Sequence, residues 1–187
     1  LPEKAGHVIF DPKSEHLGVV SDAAIIILDV GSGKMLARLE GAGDSFAWSP
    51  DGQRLVSGSG CEQVTVWDPN NGASLKELSS DKCSEGYSGI KVAWAADGRI
   101  YGVSMGTKIL AWEGDTYAPV EDFSAEGAKD TWISVLLAAP VGNLLAQYDS
   151  MGLPNIAIVD TKQNRQIHLL DQQVNGPITT LAWAPDG

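Results

Sequence analysis

The feature that most constrains this chain is a turn that recurs along its length at nearly constant spacing. Its reference residues lie 38, 46, 44 and 45 positions apart: Pro12, Pro50, Ala96, Pro140 and Pro185. A second series consists of acidic residues, each of which ends another apolar segment of the repeat. They lie 39, 45 and 47 positions apart: Asp29, Asp68, Glu113 and Asp160. A period of this length indicates one supersecondary unit, repeated, that buries its apolar surface against its neighbours.

The repeating unit is clearest between Ser45 and Leu78. Four short segments rich in apolar and β-branched residues alternate with turn sequences: Pro50-Asp51-Gly52, Ser57 to Gly60, and Pro69 to Gly72. The Asp-Gly and Asn-Gly pairs supply the positive φ angles that tight hairpins need, so the segments should form an antiparallel meander. We name its strands a, b, c and d.

This repeat predicts an all-β fold, a β-propeller of four-stranded antiparallel blades. The blades cover approximately residues 7–40, 44–79, 88–124 and 131–171, and the first strand of a fifth covers 177–187. The fourth strand of blade three, around Tyr117 to Phe123, is weak. Propellers typically close with about 4–8 blades, and a lone strand leaves backbone groups unpaired. We therefore expect a part of a longer propeller, or a half that assembles with a second copy or fragment through open blade edges.

Blade two resembles the WD-repeat β-propeller family. The matching pieces are Val66-Trp67-Asp68 at the end of strand c, and the strand a sequences Phe46 to Gly52 and Leu181 to Gly187. The other blades depart from the family's Trp-Asp pair and have Leu28-Asp29, Trp112-Glu113 and Val159-Asp160. The repeat pattern nevertheless covers nearly the whole chain.

The family's buried hydrogen-bond network is incomplete in this sequence. It joins a His before strand a and an Asp in the b–c turn to a strand-b Ser and a strand-c Trp. Here the Asp position holds Asp22, Cys61, Gly106 and Leu153 in the four blades. We expect the network to be absent or partial, and the blades to cohere mainly through apolar packing. Large contributors to that packing are Trp48, Trp94, Trp112 and Trp183.

The resemblance implies a non-catalytic scaffold that binds a protein or peptide. The alternative is the propeller domain of a larger enzyme, or a TolB-like or peptidase-associated propeller that gates or binds a substrate. Strand a with Trp-Ser-Pro-Asp-Gly occurs in those proteins too, whereas Trp67-Asp68 favours the scaffold. A sensor module that uses the central channel is a third class, for which no convergent polar residues stand out.

The charge argues against a nucleic-acid partner, because the net charge is −11 and the 13 basic residues are scattered singly. No apolar run is long enough to span a bilayer, so we expect no membrane insertion. We predict no catalytic residue, cofactor or metal site. The three histidines lack metal-ligand spacing, and Gly31 to Met35 lacks the complete phosphate-loop pattern. A larger parent chain could still be an enzyme.

Two cysteines allow a disulfide between loops that the family places on the same rim. Cys61 lies in the b–c turn of blade two, and Cys83 lies in the following d–a loop. A bridge would contribute about 3 kcal/mol and would indicate an extracytoplasmic protein, periplasmic or secreted. Two free thiols in a reducing compartment, hence a cytoplasmic protein, are the alternative.

The same rim, made of d–a and b–c loops, is the predicted interaction surface. Loops on a rigid scaffold commonly carry recognition, and aromatic residues among carboxylates suit a protein or peptide interface. The candidate residues are Asp22, Glu62, Asp81, Tyr87, Asp130, Trp132, Tyr148 and Asp149. For Trp132 and Tyr148 the alternative is that their rings cap the blade core.

Overall fold

The structure of the chain, a computed structural model, describes residues 6–22, 24–60, 63–78, 89–103, 109–120, 123, 133–149, 155–170, 178 and 180–187. Within these segments there are fifteen β-strands, and no helix is long and apolar enough to cross a membrane. The chain divides into two compact units, Leu1–Val92 and Ala93–Gly187.

The first two sheets are four-stranded and antiparallel, with the strands in sequence order. Blade one consists of β1 (Val8–Phe10), β2 (His16–Ser21), β3 (Ala24–Asp29) and β4 (Met35–Glu40). Blade two consists of β5 (Ser45–Trp48), β6 (Leu55–Gly58), β7 (Val64–Trp67) and β8 (Ser74–Glu77). The predicted all-β meander is therefore confirmed.

Two further antiparallel sheets follow along the chain. Blade three consists of β9 (Lys91–Trp94), β10 (Arg99–Val103) and β11 (Ile109–Glu113). Blade four consists of β12 (Ile133–Ala138), β13 (Leu144–Asp149), β14 (Asn155–Asp160) and β15 (Arg165–Leu170). Strand order again follows the sequence in both.

Among the described residues, the predicted fourth strand of blade three consists of a single bridge, and residues 121 and 122 of that segment lie outside them. Pro119 pairs with Trp112, and the amide of Val120 donates to Ala111 O over 2.8 Å. Proline has no N–H to donate to a ladder, so Pro119 itself adds no backbone donor to this pairing. In the part of the chain that the structure describes, the sheet of blade three has three strands.

The turn between strands a and b has the same backbone geometry in all five repeats. The residue two positions after the turn reference residue has a φ of +58° to +95°: Ser14, Gly52, Gly98, Gly142 and Gly187. In the last repeat, Gly187 N donates to Ala184 O over 3.0 Å, as Gly52 N donates to Ser49 O over 2.8 Å in blade two. The described residues before this fifth turn form no strand, because no second strand among the described residues pairs with them.

The turn between strands c and d is also uniform. Four positions after the residue that ends strand c, the backbone is left-handed in every blade: Gly33, Gly72, Tyr117 and Asn164. In blades one, two and four the pairing of strands c and d also shifts register just before the residue that ends strand c. The shifts lie at Ile27/Leu28, Val66/Trp67 and Ile158/Val159. The repeat is thus exact in backbone conformation even where the residue types differ.

Blade two packs on one face of blade one, which we call the forward face of that blade. Blade one contributes Val20, Ile25, Ile27, Ala37 and Leu39, and blade two contributes Phe46, Trp48 and Leu55. Full burial of side chains of this size stabilises a fold by about 1.5–3 kcal/mol each. The Trp48 indole also donates to Ile9 O of β1 over 3.1 Å.

In the second unit, the forward face of blade three packs on blade four. This core contains Ala93, Tyr101, Ile109 and Ala111 from blade three, and Leu136, Leu145 and Val159 from blade four. The segment that follows blade four lies against that blade, since Trp183 Nε1 donates to Leu137 O over 3.3 Å. Trp48, Trp94 and Trp112 are buried as expected, whereas Trp183 is only half-buried.

Candidate interaction rim

Loops of the first unit come into direct backbone contact at one end of the strands. A Cβ added at Gly43, in the loop before blade two, would overlap Gly58 O at the end of β6. A Cβ added at Gly58 would in turn overlap Ile90 O, just before β9. Only glycine permits such an approach. The d–a and b–c loops here therefore form one surface, the rim, defined by residues 22, 41–45, 58–60, 63 and 89–92.

The rim carries an ion pair between two of these loops. Lys91 Nζ lies 3.2 Å from both carboxylate oxygens of Asp44, whose side chain is 63% exposed. Beside it, Ser45 Oγ accepts a hydrogen bond from Val92 N over 3.0 Å. An exposed pair of this kind contributes little stability, so its main effect is to fix the positions of the loops.

Asp22 is the predicted rim residue whose exposed side chain the structure describes. It lies in the b–c turn of blade one with a φ of +54°, a conformation that aspartate tolerates better than most residues. In the corresponding turn of blade two, Ser59 Oγ donates to Gln63 Oε1 over 3.3 Å. The rim of this unit thus presents carboxylate, hydroxyl and amide groups.

Tyr148 and Asp149 belong to β13, and Tyr148 is buried with 3% exposure. Its hydroxyl accepts a hydrogen bond from Ile178 N over 3.2 Å. Because the ring lies in the interior of the fold, Tyr148 agrees with the alternative of a cap on the blade core and presents no contact surface. Glu62, Asp81, Tyr87, Asp130 and Trp132 lie outside the described residues, as do Cys61 and Cys83.

Sequence reasoning missed Asp44 and Lys91. Both stand where a d–a loop enters strand a, Asp44 just before β5 and Lys91 at the first position of β9. Opposite charges at equivalent positions of successive repeats were the available signal. This signal was hard to see because Asp44 lies six residues before its turn reference residue, Pro50, whereas Lys91 lies five residues before Ala96.

The family's buried network is partial, as the sequence predicted. Trp67 Nε1 donates to the Oγ of Ser57, which is buried, over 2.8 Å. Asp22, at the Asp position in blade one, is exposed instead of buried. The residues at the position equivalent to Ser57 in the other strands b are Val19, Gly102 and Gln147, none of which offers a hydroxyl.

At the other end of the strands, carboxylates accept hydrogen bonds within the turns. Asp68 Oδ1 accepts from Asn70 N over 2.9 Å, and Asp160 Oδ1 accepts from the amides of Lys162 and Gln163 over 2.9 Å each. The Ser49 hydroxyl, 2.6 Å from Asp51 Oδ1, lowers the pKa of Asp51 below its usual range. Because these carboxylates already accept hydrogen bonds within the turns and stabilise them, we assign no ligand site to them.

A buried hydroxyl pair joins blades three and four. Tyr101 OH and Thr161 Oγ1 both donate to Asp97 Oδ2, over 3.3 and 3.1 Å. Burial raises the pKa of Tyr101 to about 12. The phenol is therefore a neutral donor at all physiological pH values and not a base.

No cluster of three or more His, Cys, Asp or Glu side chains suited to a metal ion occurs in the described part of the chain. Among the residues that the structure describes, Asp11 and His16 form a carboxylate–imidazole pair, in which His16 Nδ1 lies 3.4 Å from Asp11 Oδ2. Asp11 is 3% exposed, and its Oδ1 accepts from the amides of Glu15 and His16. This geometry anchors the a–b turn of blade one.

Sequential four-stranded meanders, repeated turns and face-to-face blade packing define a β-propeller of the WD-repeat type, and the chain has this fold in part. Solved structures with the same fold include U3-55K, with a TM-score of 0.72 and 17% identity over 90% of this chain and 54% of that one. They also include the RRP9 WD40 repeats, with a TM-score of 0.71 and 17% identity over 88% and 52%.

The hydrazine synthase of Kuenenia stuttgartiensis matches as well, with a TM-score of 0.68 and 17% identity over 89% of this chain and 48% of that one. The chain thus spans about half the length of the solved structures it matches. No family model matches the sequence, and no curated protein matches it significantly. Since 1032 solved chains match the fold, the fold by itself does not select a function.

Proposed function

We propose that this chain is a non-catalytic scaffold that binds a protein or peptide through the d–a and b–c loops of its blades. The observation that carries the proposal is the rim of the first unit, where glycines bring loops of successive blades into one surface. Carboxylate, amide and hydroxyl groups lie on it. A rigid platform of converging loops is the usual setting for recognition in repeat folds.

The charge of the chain indicates which partner would fit. The net charge is −11, and Asp22 and Asp44 are exposed on the rim. A basic segment of a protein would complement this surface and would gain in association rate from the long-range field. We infer a partner that presents Lys or Arg side chains in an extended segment or loop.

The second candidate is the propeller part of a larger enzyme. The likeness in fold to a hydrazine synthase chain supports it. In that case the rim would face another domain of the same enzyme. The two candidates differ in whether a basic peptide in solution binds to the isolated chain.

The experiment is a selection of peptides from a random library on the immobilised chain, followed by titration of the selected peptides by fluorescence anisotropy. We expect enrichment of Lys and Arg, and weaker binding by about threefold to tenfold in Asp22→Asn, which keeps the left-handed backbone accessible. Asp115→Asn is the matched control, since Asp115 is an exposed turn carboxylate at the end of strand c of blade three. Equal loss in both variants, or no basic preference, would contradict the proposal.

A further inference from the structure

The c–d turn of blade two contains an Asn-Gly pair, the dipeptide in which asparagine loses its amide most readily. In that reaction Gly72 N attacks Asn71 Cγ, the bond from Cγ to Nδ2 breaks, and ammonia leaves with the proton of the Gly72 amide. Water then opens the succinimide ring at either carbonyl, so that residue 71 becomes aspartate or isoaspartate. Asn71 is exposed, and glycine has no side chain to hinder the attack.

The turn holds both reacting groups in hydrogen bonds. Gly72 N, the nucleophile, donates to Asp68 O over 2.9 Å. Asn71 Nδ2, the leaving group, donates to Asp68 Oδ2 over 2.7 Å, and Asn71 Oδ1 accepts from Ala73 N over 2.8 Å. The attack requires these bonds to break, so the closed turn keeps the reacting atoms out of the geometry that the reaction needs.

The turn is also held by the neighbouring blade. A Cβ added at Gly72, whose φ is +75°, would lie 3.4 Å from Arg38 O and 3.5 Å from Ala37 Cβ of β4. The c–d turn of blade two therefore rests on the last strand of blade one. Opening of this turn is coupled in this way to loosening of the joint between the two blades.

Blade four has the same turn without the reactive pair. Gln163 occupies the position of Asn71, three residues after the residue that ends strand c, and its Nε2 donates to Asp160 Oδ2 over 2.9 Å. A glutamine side chain is one methylene longer, so attack by the next backbone amide would form a six-membered ring, which closes much more slowly. Asn164, not glycine, follows it. The contact between amide and carboxylate thus belongs to the turn, whereas the reactive pair belongs to blade two.

We propose that Asn71 is a latent modification site, which the closed c–d turn of blade two protects and which is converted to aspartate or isoaspartate when that turn opens. The product carboxylate would lie beside Asp68, in place of an amide that donates to it, and the like charges repel. Isoaspartate also adds a methylene to the main chain, which disturbs the hydrogen bond from Gly72 N to Asp68 O. Each event is an irreversible record of opening and weakens the turn that opened.

The test is peptide mapping by mass spectrometry of the 187-residue chain, aged at neutral pH in buffer and in urea that unfolds it. We expect conversion at Asn71 to be faster in urea by about tenfold or more, because modification that requires opening follows the population of the open turn. Mapping separates this site from Asn175-Gly176, the other Asn-Gly pair of the sequence, which lies outside the described residues. Equal rates in buffer and in urea would overturn the proposal.

A substitution within the turn separates local from global opening. Asp68→Ala removes the acceptor for Asn71 Nδ2, and we expect conversion at Asn71 in buffer to rise by about threefold to tenfold. Asp51→Ala is the matched control, since Asp51 accepts hydrogen bonds in the a–b turn of the same blade. An unchanged rate in Asp68→Ala, or an equal rise in both variants, would also contradict protection by this turn.

Stability after ageing provides a second readout. Asn71→Gln retains an amide donor for Asp68, as Gln163 does for Asp160 in blade four, but cannot form a succinimide. Both chains carry Asn175→Gln, so that only residue 71 differs. We expect the midpoint of urea unfolding to fall on ageing in the chain with Asn71 and to stay constant in Asn71→Gln. An equal fall in both chains would show that conversion at residue 71 does not weaken the turn.

Discussion

In blade two, the buried hydroxyl of Ser57 preserves one hydrogen bond of the network found in the family that this blade resembles. Ser57 accepts the indole N–H of Trp67 in the interior, where loss of a partner costs more than the hydrogen bond contributes. The other strands b present no hydroxyl at this point, and those blades depend on apolar contacts. The Ser-Trp pair is therefore a local addition to stability in blade two.

We expect Ser57→Ala to destabilise the chain by about 1–2 kcal/mol, because it leaves the Trp67 N–H without its acceptor. The measurement is urea unfolding of the two single variants and the double variant Ser57→Ala/Trp67→Phe. A coupling free energy of about 0.5–1.5 kcal/mol should appear in the cycle. Additive losses would mean that the hydrogen bond contributes nothing.

Tyr101 predicts a pH dependence at alkaline pH. Its pKa, raised from 10.0 to about 12 by burial, means that the folded chain holds the phenolic proton more tightly than the unfolded chain. This stabilisation is complete below pH 10 and is lost as the pH rises towards 12. Thermal unfolding from pH 9 to 11.5 should show a steeper loss in the wild type than in Tyr101→Phe. Parallel curves would refute the assignment.

Two turn types, rather than any strand sequence, define the element that repeats. The a–b turn places a left-handed residue two positions after its reference residue, and the c–d turn places one four positions after the end of strand c. Gly33 and Gly72 meet this requirement without strain, whereas Tyr117 and Asn164 do so with a side chain. Turn geometry therefore tolerates sequence change more readily than the pattern of residues suggests.

Gly33→Ala should destabilise the chain by about 1 kcal/mol through the backbone alone. The φ of Gly33 is +67°, and no atom lies within 4 Å of an added Cβ. Gly31→Ala in the same turn is the control, because its φ is not left-handed and its nearest neighbour is 3.8 Å away. Equal midpoints of denaturant unfolding for the two variants would contradict this explanation.

The sequence predicted the strands and turns well, because Asp-Gly, Asn-Gly and β-branched runs act locally. The fourth strand of blade three was predicted to be weak, and its described residues form one bridge, at Pro119, which has no N–H to donate. The interaction rim stays a prediction. For Tyr148 the sequence left two alternatives, the rim and a cap on the blade core, and its position in β13 points the ring into the fold.

At the scale of the whole molecule, the exposed apolar surface of blade one affects the behaviour to be expected in solution. There Phe10, Leu17, Leu28 and Met35 lie side by side across the four strands. Exposed apolar surface that is continuous across a sheet usually marks an interface. Phe10 and Met35 are among the most exposed large apolar side chains of the described residues. Stability of this chain should therefore depend on its concentration.

We expect the midpoint of thermal unfolding to rise by several degrees between micromolar and hundred-micromolar chain, since association stabilises the folded state by mass action. The rise should disappear in Phe10→Ser/Met35→Ser but persist in Leu75→Ser, the control, because Leu75 is 48% exposed on β8 in another blade. Scanning calorimetry at three concentrations provides the measurement. A midpoint independent of concentration in the wild type would refute the expectation.

The hydrogen bonds from Trp48 to Ile9 and from Trp183 to Leu137 also equip the molecule with optical reporters. Each indole lies where one repeat meets the strand of the preceding one, so its emission wavelength responds to water entering that joint. A chain that keeps only one of these tryptophans would report the opening of a chosen joint in real time. The order in which propeller blades separate could then be followed by fluorescence, joint by joint.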